Sequence, residues 1–419
     1  MSQQAGFSFA SGNLRKLLAA PRYLAGRLRA HRSTRDPSLW VIGSAFGVSD
    51  GALAFARAAQ ALPEPPHLVW LADSEAEAQD ARQAGFTEVH LKSSREALDR
   101  TLHAGLVAVT HGFGDVNRYG VHGAVIVQLW HGAALKKLHA DSPVVFGAGL
   151  GRIPGMAALM RWAYRQGTGQ ISLLPVSSRY FQPFMASAFA LDESRVRVLG
   201  EPRTDVLFTG TPDERMAASR ALLESHLGDL GERRVLLYTP TWRDGEPDPA
   251  IPDDAEWQLI EDFCQRHDCV MVIRPHRLGV GSYTYTSDRV RLLPASVQSE
   301  SMPLLWGVDV LITDYSSMLV DYAATGRPIL LLTPDLEHYR ATRGLYVDYE
   351  ELSRGTRLRT WGDVVDELEA LFDDPGELAL AEAHSRELGT RFHAHTDGHS
   401  AARAVAAATE LVAQRFVRR

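Results

Sequence analysis

Short apolar runs alternate with amphipathic helical patterns along most of the chain, and this alternation constrains the fold more than any other feature of the sequence. Apolar runs separated by helices are typical of parallel strands joined by crossover helices. One series of runs begins at Trp40, and a second of similar size begins after Leu207. The sequence therefore predicts an α/β fold built from two Rossmann-like domains. The predicted strands are residues 39–44, 67–72, 88–92, 106–110, 124–130, 171–177, 196–199, 235–239, 270–274, 290–294, 308–313 and 329–333.

The two series also indicate how the 419 residues are divided. We predict that residues 1–35 form a basic amphipathic segment. Residues 36–205 and 206–375 are predicted to form the two Rossmann-like domains, which face each other across a cleft. Residues 376–419 follow as helices, because their composition favours helix. The hinge between the domains is expected within the sequence GEPRTDVL, at residues 200–207.

Positive charge is concentrated in two stretches, although the formal net charge of the chain is −7. Residues 1–35 contain seven Lys or Arg and no Asp or Glu, and residues 116–191 contain seven against a single Asp141. Such stretches either attract an anion or an anionic membrane surface, or are solvated helix faces. In the first stretch, the leucines fall on one helical sector beside the arginines, which favours contact with an anionic membrane surface. These leucines are Leu14, Leu17, Leu18, Leu24 and Leu28.

Cysteine content and hydropathy indicate a cytoplasmic protein. Only Cys264 and Cys269 are present, which is typical of a reducing compartment and too few for a zinc site. No apolar run reaches the ~20 residues that span a bilayer, and the amino terminus lacks a signal-peptide core. We predict no cofactor, no metal ion and no nucleic-acid partner, and a homo-oligomer is left open.

Four predicted strands end in residues that suit chemistry on a phosphate group. In doubly wound sheets, ligands bind beyond the carboxyl ends of the strands. The sequence VIVQLWHG places His131 at such an end, with Lys136 and Lys137 just beyond it. In TPTWRDG, RPH and ITDYSS, the other three ends carry Arg243, Arg274, His276, Asp314, Ser316 and Ser317.

Each of these residue types has a simpler explanation when it is taken alone. Serines cap helices without any ligand, arginines occur on surfaces, and a single histidine is more often structural than catalytic. Together they favour an anion site, because a helix amino terminus attracts phosphate and guanidinium groups bind phosphate in a bidentate manner. The sequence therefore predicts a phosphate site at the strand ends, with His131 as a candidate base.

Six sequence blocks occur in a fixed order between about Gly43 and Leu352: VQLWHGAALKKL, GEPRTDVL, YTPTWRDG, RPH, DVLITDYSSMLVDYA and YRATRGLYVDYEEL. In this order they resemble the CDP-glycerol glycerophosphotransferases, a family of teichoic-acid and capsule primases and polymerases. The resemblance implies a GT-B-like architecture in which the first domain receives the acceptor and the second binds the CDP-polyol donor. It also implies peripheral attachment to the inner face of the cell membrane.

The resemblance further implies a reaction and a role for each candidate residue. Glycerol phosphate, or a related polyol phosphate, would pass from CDP-glycerol to a hydroxyl of a lipid-linked or polymeric acceptor, with release of CMP. His131 and His276 would be catalytic, the former as the base for the acceptor hydroxyl. The donor diphosphate would be bound by Arg243, Arg274, Asp314, Ser316 and Ser317. The anionic acceptor would approach along Lys136, Lys137 and Arg161.

Two segments depart from the family pattern. Asp50-Gly51 stands where the family usually has Asp-Asn, and residues 200–205 read Gly-Glu-Pro-Arg-Thr-Asp where the family usually has Gly-Tyr-Pro-Arg-Asn-Asp. These departures leave the polyol and the acceptor open, and the sequence as a whole does not distinguish a primase from a polymerase. Two other functions also stay open from the sequence: a GT-B glycosyltransferase that uses a nucleotide sugar, and a non-catalytic protein that binds nucleotides or anionic polymers at the membrane.

Overall fold

The computed structural model describes residues 20–143, 155–243, 246–276, 279 and 283–416, and in these residues the strands given below pair in parallel. The strands are β1 (Asp36–Gly43), β2 (His67–Ala72), β3 (Glu88–Leu91), β4 (Ala104–Val109), β5 (Val125–Gln128), β6 (Leu174–Val176), β7 (Val196–Val198), β8 (Arg234–Thr239), β9 (Cys269–Ile273), β10 (Val290–Leu292), β11 (Val310–Thr313) and β12 (Ile329–Leu331). The helices are α1 (Ala20–Arg32), α2 (Asp50–Gln60), α3 (Glu75–Gln83), α4 (Arg95–His103), α5 (Met156–Thr168), α6 (Gln182–Phe189), α7 (Pro212–Leu227), α8 (Asp254–Arg266), α9 (Met318–Ala323), α10 (Leu336–Arg343), α11 (Tyr349–Leu352), α12 (Trp361–Asp373), α13 (Pro375–Phe392) and α14 (Ser400–Phe416).

The two five-stranded sheets share one topology. The first has the strand order β3-β2-β1-β4-β5 and the second has β10-β9-β8-β11-β12. In each sheet the first strand lies in the middle, and the chain changes direction between β1 and β4 or between β8 and β11. A change of this kind opens a crevice at the carboxyl ends of the strands, where α/β proteins bind ligands. The predicted α/β fold with two Rossmann-like sheets is confirmed.

The first sheet is covered by helices that lie far apart in the sequence. Ile42 of β1 and Trp70 of β2 pack in one cluster with Phe55 of α2 and with Ala404 and Val412 of α14. Burial of apolar surface stabilises such a core by about 25 cal/mol per Å². The last helix of the chain therefore completes the core of the first sheet.

The second sheet has helices on both faces, which explains why its strands are apolar throughout. On one face, Ile312 of β11 packs with Trp257 of α8 and Trp361 of α12. The Nε1 of Trp361 donates a hydrogen bond of 2.8 Å to the carbonyl of Ala250, so the polar atom of this buried indole is satisfied. On the other face, β8 and β9 pack against Leu223 of α7.

The chain forms two compact units, each with one of the large sheets. Within the described residues, the first unit contains residues 20–132, 138–205 and 394–416, and the second contains residues 133–137 and 206–393. The helices after residue 375 are therefore divided between the units: α13 belongs to the second and α14 to the first.

Helix α1 lies within the predicted basic segment, whose residues 1–19 are outside the described part of the chain. Leu24 and Leu28 are 62% and 53% exposed on this helix. Its Gly26 faces the backbone of Tyr119, where a Cβ would lie only 2.2 Å from the carbonyl oxygen. Among the described helices, none combines the length and the apolarity that a bilayer crossing requires.

The turn at residues 200–205, where a hinge was predicted, holds the start of α14 within the first unit. The carboxylate of Asp205 accepts hydrogen bonds from the backbone N–H groups of Ser400 (2.7 Å) and Ala401 (2.8 Å). Gly200 has a φ of +79°, and a Cβ there would lie 2.1 Å from the Oγ of Ser400. Since a helix amino terminus has unpaired N–H groups and a partial positive charge, a carboxylate stabilises it.

We expect the substitution Asp205→Ala to lower the free energy of unfolding by about 1–2 kcal/mol, as for other lost helix caps. Chemical denaturation followed by circular dichroism measures this change. The control is Asp80→Ala, which removes an exposed carboxylate from α3 and should change stability by less than about 0.5 kcal/mol. Equal stability of the two variants would contradict the capping role of Asp205.

Candidate active site

A tight turn after β5 sets the position of His131. Leu129 still donates to the carbonyl of Val109 (2.8 Å), but the chain leaves the ladder at Trp130, whose φ is +58°. The N–H of Trp130 is instead satisfied by the side-chain oxygen of Gln128 at 3.1 Å. A bulky residue adopts this left-handed conformation rarely, and such strain concentrates at functional sites.

The indole of Trp130 anchors this turn in the core of the first unit. The side chain is 5% exposed, and its ring contacts those of Phe189 (centroids 5.1 Å apart) and His139 (4.9 Å) edge to face. The centroid of the indole also lies 3.9 Å from the centroid of the His131 ring. The aromatic residue before the histidine therefore fixes where the imidazole points.

One hydrogen bond defines the tautomer of His131. Its Nδ1 lies 3.3 Å from the backbone carbonyl oxygen of Thr110, at the end of β4. Since a carbonyl only accepts hydrogen bonds, Nδ1 carries the proton and Nε2 has the free lone pair. This is the arrangement of a histidine that accepts a proton through Nε2.

The surroundings of His131 lower its pKa to about 3, well below the ordinary value of 6.5 that the sequence suggested. Burial is the largest cause, and the neighbouring imidazole of His111 is the second. The charges of Arg203 and His139 act in the same direction, whereas the bond to Thr110 opposes them. The ring is therefore neutral throughout the physiological pH range.

Two neighbours of His131 were missed by reasoning from the sequence. His111 lies two residues after β4. The same argument that identified His131, from its position at the carboxyl end of a strand, would have identified His111 as well. Arg203 lies in the GEPRTDVL block, which was interpreted as a hinge and as a family segment without a role for this arginine. Its Nε donates to Glu201 at 2.6 Å, and both side chains are 5% exposed.

In the second unit, Asp314 connects the ends of two neighbouring strands. Thr313 of β11 pairs with Thr239 of β8, and the side-chain oxygens of the two threonines are 3.1 Å apart. One residue further on, the carboxylate of Asp314 accepts from the N–H of Thr241 at 2.9 Å and from Arg243 at 2.7 Å. Asp314 is only 1% exposed. Asp314 is therefore a structural residue: its carboxylate holds the turns after β8 and β11 together.

The guanidinium of Arg243 is bound by protein groups in this structure. It donates to both carboxylate oxygens of Asp335 at 3.0 Å, in addition to Asp314. Its carbon lies 5.1 Å from the ring centre of Tyr315, whose hydroxyl also donates to Asp335. Burial works against the charge of Arg243, but the two carboxylates raise its pKa above the ordinary value.

Arg274, at the end of β9, donates to backbone carbonyls. Its bonds reach Leu293 (3.2 Å), Gln298 (2.7 Å) and Ser299 (3.1 Å). Burial lowers its pKa to about 10, so the group stays cationic at neutral pH. Both arginines that were predicted to bind the diphosphate thus organise the loops of this edge, and direct binding of the donor by them stays a prediction.

His276 lies exposed at the end of β9 and forms part of a stack. Its ring is nearly parallel to that of Trp242, with centroids 6.2 Å apart, and the guanidinium carbon of Arg343 lies 5.3 Å from the centre of the same indole. Trp242 and Arg343 belong to the sequence blocks, but no role was predicted for them. The stack presents an imidazole and a guanidinium at the same edge of the second sheet.

The two serines lie where the sequence placed them, directly before a helix. Ser316 accepts a bond from the N–H of Met318 at 3.3 Å, and Ser317 is the N-cap residue of α9 without a side-chain capping bond. Both side chains are half-buried, and the helix has six residues. Their hydroxyls stay candidates for contact with an anion.

The cationic residues predicted to receive the acceptor belong to different units. Lys136 and Lys137 are part of the second unit, where Lys137 donates its N–H to the carbonyl of Gly344 at 3.0 Å. Arg161 is exposed on α5 in the first unit, and it lines a cleft of about 650 Å³ together with Arg165.

Within the described residues, no cluster of three or more His, Cys, Asp or Glu side chains is suited to a metal ion. Cys264 and Cys269 are buried, free thiols in the core of the second sheet. Burial raises the pKa of Cys269 to about 12, so this thiol is protonated and acts as a packing residue.

Residues 27–409 match the family of CDP-glycerol:poly(glycerophosphate) glycerophosphotransferases. This stretch contains both large sheets and the turns that carry His131, His276 and Asp314. The chain belongs to this family, and the resemblance inferred from the sequence blocks is confirmed.

Two curated relatives carry the name of a teichoic acid polymerase. The teichoic acid poly(glycerol phosphate) polymerase of Staphylococcus epidermidis is 30% identical over 230 residues, which are 54% of this chain and 31% of that protein. The polymerase of the same name from Bacillus spizizenii is 29% identical over 248 residues, which are 57% of this chain and 59% of that protein. The chain thus spans between about a third and three fifths of the length of these relatives.

Solved structures share the fold. A variant of the wall teichoic acid polymerase TagF with CDPG matches with a TM-score of 0.74 at 20% identity, over 97% of this chain and 98% of that chain. A UDP-N-acetylglucosamine 2-epimerase matches with a TM-score of 0.52 at 15% identity, over 91% of this chain and 96% of that chain. The GT-B-like fold class predicted from the sequence is confirmed.

We expect Asp314→Asn to destabilise the protein by about 3–5 kcal/mol, because it leaves the buried Arg243 with one carboxylate fewer. Chemical denaturation measures this loss. The control is Glu337→Gln, which removes an exposed ion pair with Arg340 and should cost less than about 1 kcal/mol. If both variants lost the same small amount, the organising role of Asp314 would be wrong.

Proposed function

We propose that this protein transfers glycerol phosphate, or a related polyol phosphate, from CDP-glycerol to a hydroxyl of a lipid-linked or polymeric acceptor, with release of CMP. The reaction would extend or prime a teichoic-acid-like polymer of the cell surface. Membership of the glycerophosphotransferase family supports the reaction class. The observation that carries the proposal is the orientation of His131, whose Nδ1 is bound to a carbonyl and whose Nε2 is left to accept a proton.

In the proposed mechanism, Nε2 of His131 takes the proton of the acceptor hydroxyl. The acceptor oxygen forms a bond to the β-phosphorus of the donor, and the bond from this phosphorus to the bridging oxygen breaks, so that CMP leaves. A neutral imidazole is needed for the first step, and burial keeps His131 neutral. Because an adjacent negative charge favours the protonated form, the bound phosphate would raise the pKa of His131 when the proton arrives.

The donor is assigned to the carboxyl edge of the second sheet. The hydroxyls of Ser316 and Ser317 and the imidazolium form of His276 would offset the charge that develops on the bridging oxygen. The Oγ1 of Thr241 is buried without a hydrogen-bond partner among the described residues, and it lines a small cavity together with His276. A donor oxygen would satisfy this hydroxyl. Arg243, Arg274 and Asp314 would hold the turns in position.

The acceptor is assigned to cationic surfaces. Poly(polyol phosphate) carries one negative charge per unit, so it is attracted by clustered arginines and lysines. Arg161 and Arg165 line the 650 Å³ cleft of the first unit, and Lys137 is exposed in the second. These groups would concentrate the anionic acceptor near the enzyme.

We expect His131→Ala to reduce CMP release by 10²–10⁴-fold, the usual contribution of a general base. The affinity for CDP-glycerol, measured by calorimetry, should change by less than about threefold, because His131 is assigned to the acceptor. His276→Ala should weaken both turnover and donor affinity. The control is His103→Ala, which alters a histidine of α4 whose side chain is 42% exposed and should leave both quantities unchanged. Normal turnover by the His131 variant would refute its role as the base.

The substrate assignment is tested by a panel of CDP-glycerol, CDP-ribitol and UDP-sugars, each incubated with lipid-linked acceptors. Release of CMP from a CDP-polyol, with the polyol phosphate recovered on the acceptor, is the expected result. Release of UDP from a UDP-sugar would identify a glycosyltransferase instead. Binding of CDP-glycerol without turnover on any acceptor would indicate a non-catalytic protein.

The proposal places the protein on the inner face of the cell membrane, with α1 as a contact surface. Leu24 and Leu28 are exposed on a helix that also carries Arg22, Arg27 and Arg29, a combination that binds anionic membrane surfaces. We expect Leu24→Glu combined with Leu28→Glu to weaken co-sedimentation with phosphatidylglycerol vesicles by at least about tenfold.

The matched control for this experiment is Leu380→Glu, since Leu380 is 57% exposed on α13, which is not part of the basic amphipathic segment of residues 1–35. This substitution should leave vesicle binding unchanged. Full binding by the α1 double variant would show that α1 is not the membrane contact.

A further inference from the structure

A second imidazole lies beside the candidate base. The ring of His111 is nearly parallel to that of His131, with an angle of 13° between the planes and 5.1 Å between the centroids. The ring of Trp130 lies 6.0 Å from His111 and 3.9 Å from His131, so the three rings form one aromatic group. His111 has no role in the mechanism proposed above.

The backbone of His111 is held by a buried carboxylate. Asp115 is 5% exposed, and its Oδ2 accepts from the N–H groups of Thr110 (2.9 Å), His111 (2.7 Å) and Gly112 (3.3 Å). The side-chain amide of Gln128 donates to the carbonyl of His111 at 3.4 Å. The same turn supplies the Thr110 carbonyl that binds Nδ1 of His131. One carboxylate therefore sets the positions of both imidazoles.

The charged and titratable groups around the two rings come from several elements. His111 faces Asp115 on its own turn and His131 on the turn after β5. His131 additionally senses Arg203 from the 200–205 turn and His139 from the segment after residue 137. Apart from Asp115 these groups are cationic or become cationic on protonation, so each disfavours a proton on His131.

We propose that His111 is a positioning residue of the candidate active site, stacked on His131 so that the two rings disfavour carrying protons at the same time, which keeps His131 the proton-free base at neutral pH. This inference rests on the proposed function for its catalytic meaning. Two imidazolium ions at this distance repel each other, so their titrations are coupled. A positive charge at position 111 therefore opposes protonation of His131, and a negative charge favours it.

The test is a charge series at position 111: His111→Lys and His111→Gln beside the unchanged protein. The protonation midpoint of His131 is measured by NMR on protein with ¹³Cε1-labelled histidine. We expect this midpoint to be at least about one pH unit higher with the neutral Gln than with the cationic Lys at position 111. A purely structural role of His111 would not order the midpoints by charge. The control is His122→Gln, which removes a different half-buried histidine of the first unit and should leave the midpoint unchanged.

Several outcomes would overturn the inference or separate it from the proposed function. Equal midpoints in all variants, or midpoints that do not follow the charge, would overturn it. If the Lys variant does not fold, the midpoint of the Gln variant relative to the unchanged protein still decides. In active protein, the acid limb of kcat/KM should move with the NMR midpoint. If the midpoints follow the charge but CDP-glycerol is not turned over, the coupled pair stands and the proposed function fails. Turnover with unmoved midpoints would support the proposed function and overturn the coupling of the pair.

Discussion

A buried carboxylate after the fourth strand of each large sheet holds the turns on which the rest of the site depends. Asp115 follows β4 and collects three backbone N–H groups, and Asp314 follows β11 and binds the N–H of Thr241 together with Arg243. A buried carboxylate is costly unless hydrogen bonds satisfy its oxygens, so each one forces the surrounding loop into a single arrangement. The Asp115 turn supplies the carbonyl of Thr110 that binds His131, and Asp314 directly precedes the loop that carries Ser316 and Ser317.

The environment that keeps His131 unprotonated at neutral pH also makes it a weak base. Burial and the neighbouring His111 and Arg203 lower its pKa to about 3, which keeps Nε2 available at neutral pH. A base with so low a pKa takes up a proton readily only when a negative charge arrives with the substrate. The site would therefore couple proton transfer to the presence of a phosphate.

Prediction from the sequence succeeded where a local pattern determines the structure. The strands at residues 67–72 and 235–239 are found at β2 and β8, because parallel strands buried on both faces are apolar runs of a recognisable length. The positions of the candidate site residues were predicted in part. His131, His276 and the two serines lie at strand ends as expected, whereas Arg243 and Arg274 bind protein groups. Their partners, such as Asp335 and the carbonyl of Gln298, are distant in sequence, so no local pattern identifies them.

The sequence by itself determined the order of strands and helices, the family and the residues at the strand ends, because hydrophobic periodicity and motif spacing are properties of neighbouring residues. Only the tertiary structure decided that α14 completes the first sheet, that Asp205 caps it, and that His111 and Arg203 surround His131. Such contacts join residues that are distant in the sequence: Asp205 and Ser400 are 195 positions apart, and Ile42 and Ala404 are 362 positions apart. They depend on how the packed core brings chain segments together, and the pKa of the candidate base depends on them in turn.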